Sequence, residues 1–361
     1  INDAGNQMNN LAASVNARYL ELLGKESQIP ENGYHGTDII DTAQAIIDQD
    51  GDAYLAMPEQ ERLEFFKDRA YVEKMNILKK DLAHFNVQYD TWFSERTLHP
   101  DAIHAACDVL EKRGKIYEKE GALWLKSTEY GDDKDRVVIR DNGVPTYLAA
   151  DIAYHKNKYD RKFDRYINIW GADHHGYIPR VKAAVEFLGN NSSKLEVILS
   201  QMVQLLKGGE PYKMSKRAGN VILMSDITEE IGADALRFIF LTRKSDTHLE
   251  FDIDMLKNQD SSNPIFYINY AHARINQVFK KAEITQGEIK DIDIKDLNQD
   301  GLNLIYESLL LESVLTEAFT KRDMQKITEY LYSLASSVHK FYNEHKVIGS
   351  DEQNVYLKVL A

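Results

Sequence analysis

The chain has 361 residues, too many for one ordinary core, and its 43% hydrophobic content is enough to build two or three domains. With 57 acidic against 44 basic side chains the net charge is −13, which excludes broad, sequence-independent coating of nucleic acid but leaves room for a local basic strip. A single cysteine, Cys107, excludes an internal disulfide, and no apolar run approaches the ~18 residues of a membrane span, so a cytoplasmic protein without a membrane partner is expected.

A turn-rich opening, INDAGNQ, leads into apolar residues at helical spacing from Met8 to Leu23, with Gly24 as a stop. Amides and acids placed before a helix also read simply as caps. Helical patterns follow over about 36–49 and 58–85, then a short alternating run at 87–93, and Pro100 begins a helix to about Arg113. Ile116–Glu118 and Ala122–Leu125, separated by a Lys-Glu-Gly turn, predict a hairpin. From Asp135 an α/β pattern sets in: short apolar runs at 136–139, 166–170, 195–199 and 203–206 alternate with helices over 147–159 and 178–188. Such alternation predicts a parallel sheet wrapped on both faces, with ligands at the carboxyl ends of its strands. GADALRFIF (232–240) reads as an amphipathic helix and DTHLEFD (246–252) as a polar turn. From Asn263 onward the chain is expected to be all-helical, with helical spacing over 302–319 and 324–342.

Three stretches carry chemistry. In TYLAADIAYH, Tyr147 and Asp151 lie four apart and share a helix face, so a phenol and a carboxylate can meet one ligand; an amphipathic surface helix explains the pair equally well. A carboxylate is what a planar guanidinium calls for, since two parallel N–H bonds fit its two oxygens. In WGADHHGY, directly after a strand, Gly171 admits a close backbone approach and Asp173 can accept two ribose hydroxyls. His174 and His175 stand near a helix start, where anions are favoured. Adjacent histidines point apart on a helix and no third ligand is spaced to join them, so no metal site is assigned. In KGGEPYKMSKRAGN (207–220), Gly208, Gly209 and Pro211 break any helix before Lys213, Lys216 and Arg217 arrive. This is a solvated basic turn, or a device for stabilising charge on departing phosphates.

The letters Lys213-Met214-Ser215-Lys216 match the KMSK signature of class I aminoacyl-tRNA synthetases, and the chain as a whole resembles an arginyl-tRNA synthetase. The resemblance implies a Rossmann-like parallel-sheet catalytic core interrupted by an α+β insertion and followed by an all-helical anticodon-binding domain. It divides the chain into core (1–30), insertion (31–128), second half of the core (129–262) and anticodon domain (263–361). It also implies that Tyr147 and Asp151 hold the arginine side chain, with Asn2, Asp3 and Gln7 of the active-site wall likewise assigned to arginine binding. Gly171, Asp173, His174 and His175 would form the ribose and adenine turn, with Gln201, Met202 and Val203 near the adenine edge and Lys213 and Lys216 on the phosphates. ATP, Mg2+, L-arginine and tRNA(Arg) are the implied ligands, and a monomer is expected. The HIGH signature would precede Ile1 and further helices would follow Ala361, so a fragment is expected. Two alternatives stay open: another class I enzyme, against which the Tyr147/Asp151 pair speaks, and a non-catalytic tRNA- or protein-binding relative.

Overall fold

The computed structural model describes residues 1–212, 222–289 and 297–361, which fall into two units: residues 1–200 with 222–223, and residues 201–212 with those described from 224 onward.

The first unit opens with α1 (Asn6–Leu22), α2 (Thr37–Asp50) and α3 (Glu59–His84). Val15 and Tyr19 of α1 meet Ile39, Ala43 and Ile46 of α2 and Phe66 and Ala70 of α3 in one buried cluster. The spacing of these residues is the amphipathic stripe that the sequence shows. Tyr19 is fully buried and packs edge-on against Phe66 at 5.0 Å, while its hydroxyl donates to the Gly51 carbonyl (3.1 Å), so the ring is apolar inside and satisfied at its tip. The alternating run at 87–93 forms no strand. Its aromatic residues are used as packing instead: Trp92 lies edge-on to Tyr89, and Phe93 stacks on Tyr154 at 4.7 Å.

The rest of this unit is built on α4 (Asp101–Lys112), β1 (Ile116–Lys119), β2 (Ala122–Leu125), β3 (Arg136–Ile139), α5 (Tyr147–Asp160), β4 (Tyr166–Gly171), α6 (Ile178–Phe187) and β5 (Leu195–Ser200). Ile103, Ala106, Cys107 and Leu110 of α4 face inward at three and four spacing, against Leu125, Val138, Ile152 and Ala184 among others. β1, β2 and β3 form an antiparallel sheet, so β2–β3 pairing runs across residue 128, where a domain boundary was drawn from the sequence. β3 therefore does not join the parallel sheet expected for it, because no crossover helix separates it from β2. Asp132, buried just before β3, accepts from Arg136 (2.9 Å) and Arg180 (3.0 Å) and fastens that strand to α6. β4 and β5 do pair in parallel, from Tyr166↔Leu195 to Gly171↔Ser200, joined by α6 as crossover.

In the second unit β6 (Val203–Lys207), β7 (Glu210–Pro211), α7 (Met224–Ile231), α8 (Ala233–Leu241) and β8 (Leu249–Asp252) precede a helical set. β6 pairs with β7 as a tight hairpin through Gly208 and Gly209, both at positive φ, and in parallel with β8. The stretch read as a polar turn is thus half strand. Leu249 and Phe251 are buried and Glu250 is exposed, a period-two alternation too short to stand out. Asp252 and Asp254 accept from the N–H groups of Gly209 (2.5 Å) and Gly208 (3.1 Å), which ties the hairpin turn to the end of β8.

The helices that follow are α9 (Pro264–Ala282), α10 (Gln299–Leu309), α11 (Leu311–Lys321), α12 (Gln325–Glu344) and α13 (Gln353–Leu360). Their core joins Ala271, Val278 and Phe279 to Leu304, Val338, Phe341 and Leu357. The single helix expected over 302–319 is broken at Leu310, and Leu309, Leu315 and Phe319, apolar residues of the expected stripe, are exposed. Asn263 starts α9 with one buried side chain serving four backbone groups: its oxygen accepts from the N–H groups of Ile265 and Phe266, and its amide donates to the carbonyls of Leu256 and Asn258. Pro264 occupies the first helical position, where a missing N–H costs nothing. Asn263→Ala is expected to destabilise this unit by about 1–3 kcal/mol, and Asn263→Asp, which keeps the cap but loses the two donors, by an intermediate amount. Chemical denaturation followed in the helical unit checks the order of the three proteins.

Candidate active site

The end of β3 and the start of α5 are locked together, which fixes where α5 begins. Thr146 donates its N–H to the Val138 carbonyl (2.9 Å) and its hydroxyl to the Val137 carbonyl (2.9 Å), and Tyr147 follows as the first helical residue. Tyr147 is 82% exposed, and Asp151 and Tyr154, one and two turns on, continue the same face. β4 ends at Gly171 and passes through a short 3-10 turn, Ala172–Tyr177, into α6. A side chain at Gly171 would have its Cβ 2.5 Å from an Asp173 carboxylate oxygen, so the glycine makes room for Asp173.

These pieces enclose a cavity of about 540 Å³ lined by Asn2, Phe93, Glu95, Tyr147, Asp151, Tyr154, Trp170, His174 and Tyr177, with Ile1, Leu98 and Ala150. Two carboxylates among aromatic rings suit a cation with an apolar stem. The Tyr177 hydroxyl is held protonated by its burial and by the neighbouring Asp151 charge, so it remains a donor.

Of the residues singled out from the sequence, Tyr147, Asp151, Asn2 and His174 line this cavity. Asp3 does not: it is buried and accepts from the Ser94 hydroxyl (2.6 Å) and the Arg96 N–H (3.2 Å). Gln7 is exposed in the first turn of α1, also outside the lining. Asp173 and His175 are exposed on the turn after β4, with Asp173 3.6 Å from His174. Gln201, Met202 and Val203 belong to the second unit. There the Gln201 N–H donates to the Ser245 carbonyl (2.7 Å), Met202 is exposed and Val203 opens β6. Lys213, Met214, Ser215 and Lys216 lie outside the described residues. Sequence reasoning missed Glu95, which sits in a 3-10 turn with no periodicity to mark it, and the aromatic wall of Phe93, Tyr154, Trp170 and Tyr177.

Comparison with known proteins shows the family. A family model for the catalytic domain of class I (R) tRNA synthetases matches residues 42–280, and one for the DALR anticodon binding domain matches residues 268–360. An arginine–tRNA ligase from Aliarcobacter butzleri is 67% identical over 365 residues, covering 100% of this chain and 68% of the relative. The chain belongs to the class I arginyl-tRNA synthetases. A second arginine–tRNA ligase, from a Nitratiruptor species, is 52% identical over 99% of this chain and 68% of its own length. A crystal structure from Campylobacter jejuni, 50% identical, matches with a TM-score of 0.93 over 99% of this chain and 79% of that one. The Thermus thermophilus arginyl-tRNA synthetase, at 18% identity and a TM-score of 0.69 over 100% of this chain and 77% of that one, shares the fold.

Behind the Asp151 face of this synthetase lies a buried polar chain. His155 Nδ1 is 2.8 Å from the Asp151 carbonyl, which can only accept, so Nδ1 carries the hydrogen and Nε2 accepts from the Asn168 amide at 2.8 Å. The Asn168 oxygen then accepts from Lys158 Nζ (2.7 Å), which also sits over the Tyr154 ring at 4.3 Å. Burial and the nearby Lys158 charge, opposed by Asp151, lower the His155 pKa and keep the ring neutral. Burial likewise pushes the Lys158 amine down to about 8, against the pull of Asp151. In the unfolded chain that amine titrates at its ordinary 10.5. Between those two values the unfolded state binds more protons, so stability rises with pH across that window. The parent is expected to gain on the order of 2 kcal/mol more than Lys158→Met between pH 8 and pH 10. Paired denaturation curves at the two pH values measure the difference.

Proposed function

We propose that the protein activates L-arginine with MgATP, giving arginyl-adenylate and pyrophosphate, and passes the arginyl group to the 3′ end of tRNA(Arg). The observation that carries this reading is the cavity in which Asp151 and Glu95 stand among aromatic rings, in a chain of the arginyl-tRNA synthetase family. In the first step an oxygen of the arginine carboxylate bonds to the α-phosphorus and the bond to pyrophosphate breaks. In the second, a hydroxyl of the terminal ribose attacks the activated carbonyl and AMP leaves. No side chain has to form a covalent bond, so the chain contributes position and charge.

In this reading Asp151 receives the guanidinium through paired N–H bonds, with Tyr147 closing over the stem and Glu95 and Asn2 supplying further acceptors. Asp173 takes the ribose hydroxyls of ATP and His174 and His175 serve the turn that carries them, with Gln201, Met202 and Val203 assigned to adenine. Lys213 and Lys216 are assigned to the phosphates, where Mg2+ arrives bound to ATP as part of the substrate.

The test compares arginine with citrulline, whose ureido group has no charge. Removing one partner of a desolvated ion pair costs roughly 3–5 kcal/mol, so Asp151→Asn in the full-length protein is expected to lower kcat/KM for arginine by about 10²–10³ and leave ATP binding near its original value. Citrulline should lose much less. Equal losses for the two substrates, measured as adenylate formation with tRNA present, would show that Asp151 supports the wall without recognising the cation.

A further inference from the structure

Asp3 is 2% exposed, yet it does not line the cavity that its neighbour Asn2 lines. Its two oxygens are taken up by the residues on either side of Glu95: the Ser94 hydroxyl donates to one at 2.6 Å and the Arg96 N–H to the other at 3.2 Å. Arg96 returns the contact through its Nε, which donates to the Asp3 carbonyl at 2.8 Å. The Glu95 N–H donates to the Ile1 carbonyl at 3.2 Å, so the two short segments are stitched at consecutive positions. The clamp is itself anchored on α3, where Arg96 reaches Asp68 at 3.0 Å and lies over the Tyr71 ring at 4.5 Å. Burial alone would raise the Asp3 pKa, but Ser94, the Arg96 amide, Tyr71 and the Arg96 charge outweigh it, and the group stays ionised. Glu95, held between two tethered residues, faces the cavity together with Asn2.

We propose that Asp3 is a positioning residue for arginine recognition: without touching the substrate, it fixes Glu95 and Asn2 on one wall of the cavity. The inference rests on the reading that this cavity takes arginine. A side chain held to within a fraction of an ångström needs neighbours that cannot drift, and a displacement of about 1 Å at such a site can cost on the order of 10²-fold in rate. A buried carboxylate bonded to both flanks of Glu95 supplies that restraint.

The experiment is a double-mutant cycle in the full-length protein, read by arginine-dependent exchange of pyrophosphate into ATP with tRNA present. Glu95→Gln sets the value of the cavity carboxylate. Asp3→Ala is expected to lower kcat/KM for arginine by about 10–100-fold with the KM for ATP changed less than about 2-fold, whereas on the Glu95→Gln background it should add less than about 3-fold, because the two act as one unit. Asp3→Asn, which keeps one acceptor oxygen, should recover part of the loss. If Asp3→Ala does not fold, Ser94→Ala removes a single bond of the clamp and should show the same pattern at about 3–10-fold. A full, additive loss on the Glu95→Gln background, parallel losses for arginine and ATP, or no loss would each overturn the positioning role. If Glu95→Gln itself leaves arginine untouched, the assignment of the cavity fails first; if Glu95→Gln weakens arginine and the clamp variants do not, only this inference falls.

Discussion

A carboxylate can receive a cation, as proposed for Asp151, only if the ligand can reach its oxygens, and the acids of the first unit divide along that line. Its buried acids are consumed by the fold: Asp3 by Ser94 and Arg96, and Asp132 by Arg136 and Arg180. The two acids facing the cavity, Asp151 and Glu95, are left partly exposed, and the nearest histidine nitrogen to the Asp151 carboxylate, on neutral His155, is 3.9 Å away. Behind Asp151, Lys158 supplies positive potential from a distance, spending its hydrogen bond on Asn168 instead of on the acid. The result is a cavity lined by two acidic side chains, with the Lys158 amine held one layer back.

The same economy applies to backbone placement. Tyr147 and Asp151 gain their positions from Thr146, whose bonds to Val137 and Val138 set the first turn of α5. The turn after β4 gains its position from the parallel pairing with β5, which ends at Gly171↔Ser200. Both attachments are to strands, so the residues that line the cavity ride on elements whose own bonds do not depend on any ligand.

Much of this was legible in the letters. Helices with a clear apolar stripe and a glycine or proline at an end, such as α1 and α4, were expected close to where they lie. Tyr147 and Asp151 share a face because four residues make about one turn, and that is local information. Asp3 and Glu95 show where local information stops. Both are acids in irregular segments, and only contacts some ninety positions apart along the chain make one a clamp and the other part of the cavity wall. The strand at 249–252 was hidden for a different reason, its two inward residues being too few to establish a period, and the break at Leu310 leaves the helical pattern on both sides intact.

Asn168 has an orientation dictated from both ends, since a lone pair on His155 demands its amide hydrogens and an ammonium on Lys158 demands its oxygen. The side chain is therefore polarised in one sense only, and deamidation at this position would abolish its donor end while leaving the acceptor end in place. An aspartate there would gain Lys158 as a true counter-ion but would offer His155 Nε2 no hydrogen, which favours drawing a proton onto the ring. A chemical change of one atom, at a residue outside the lining of the candidate site, would thus place a negative charge between Lys158 and His155 in the layer beneath Asp151.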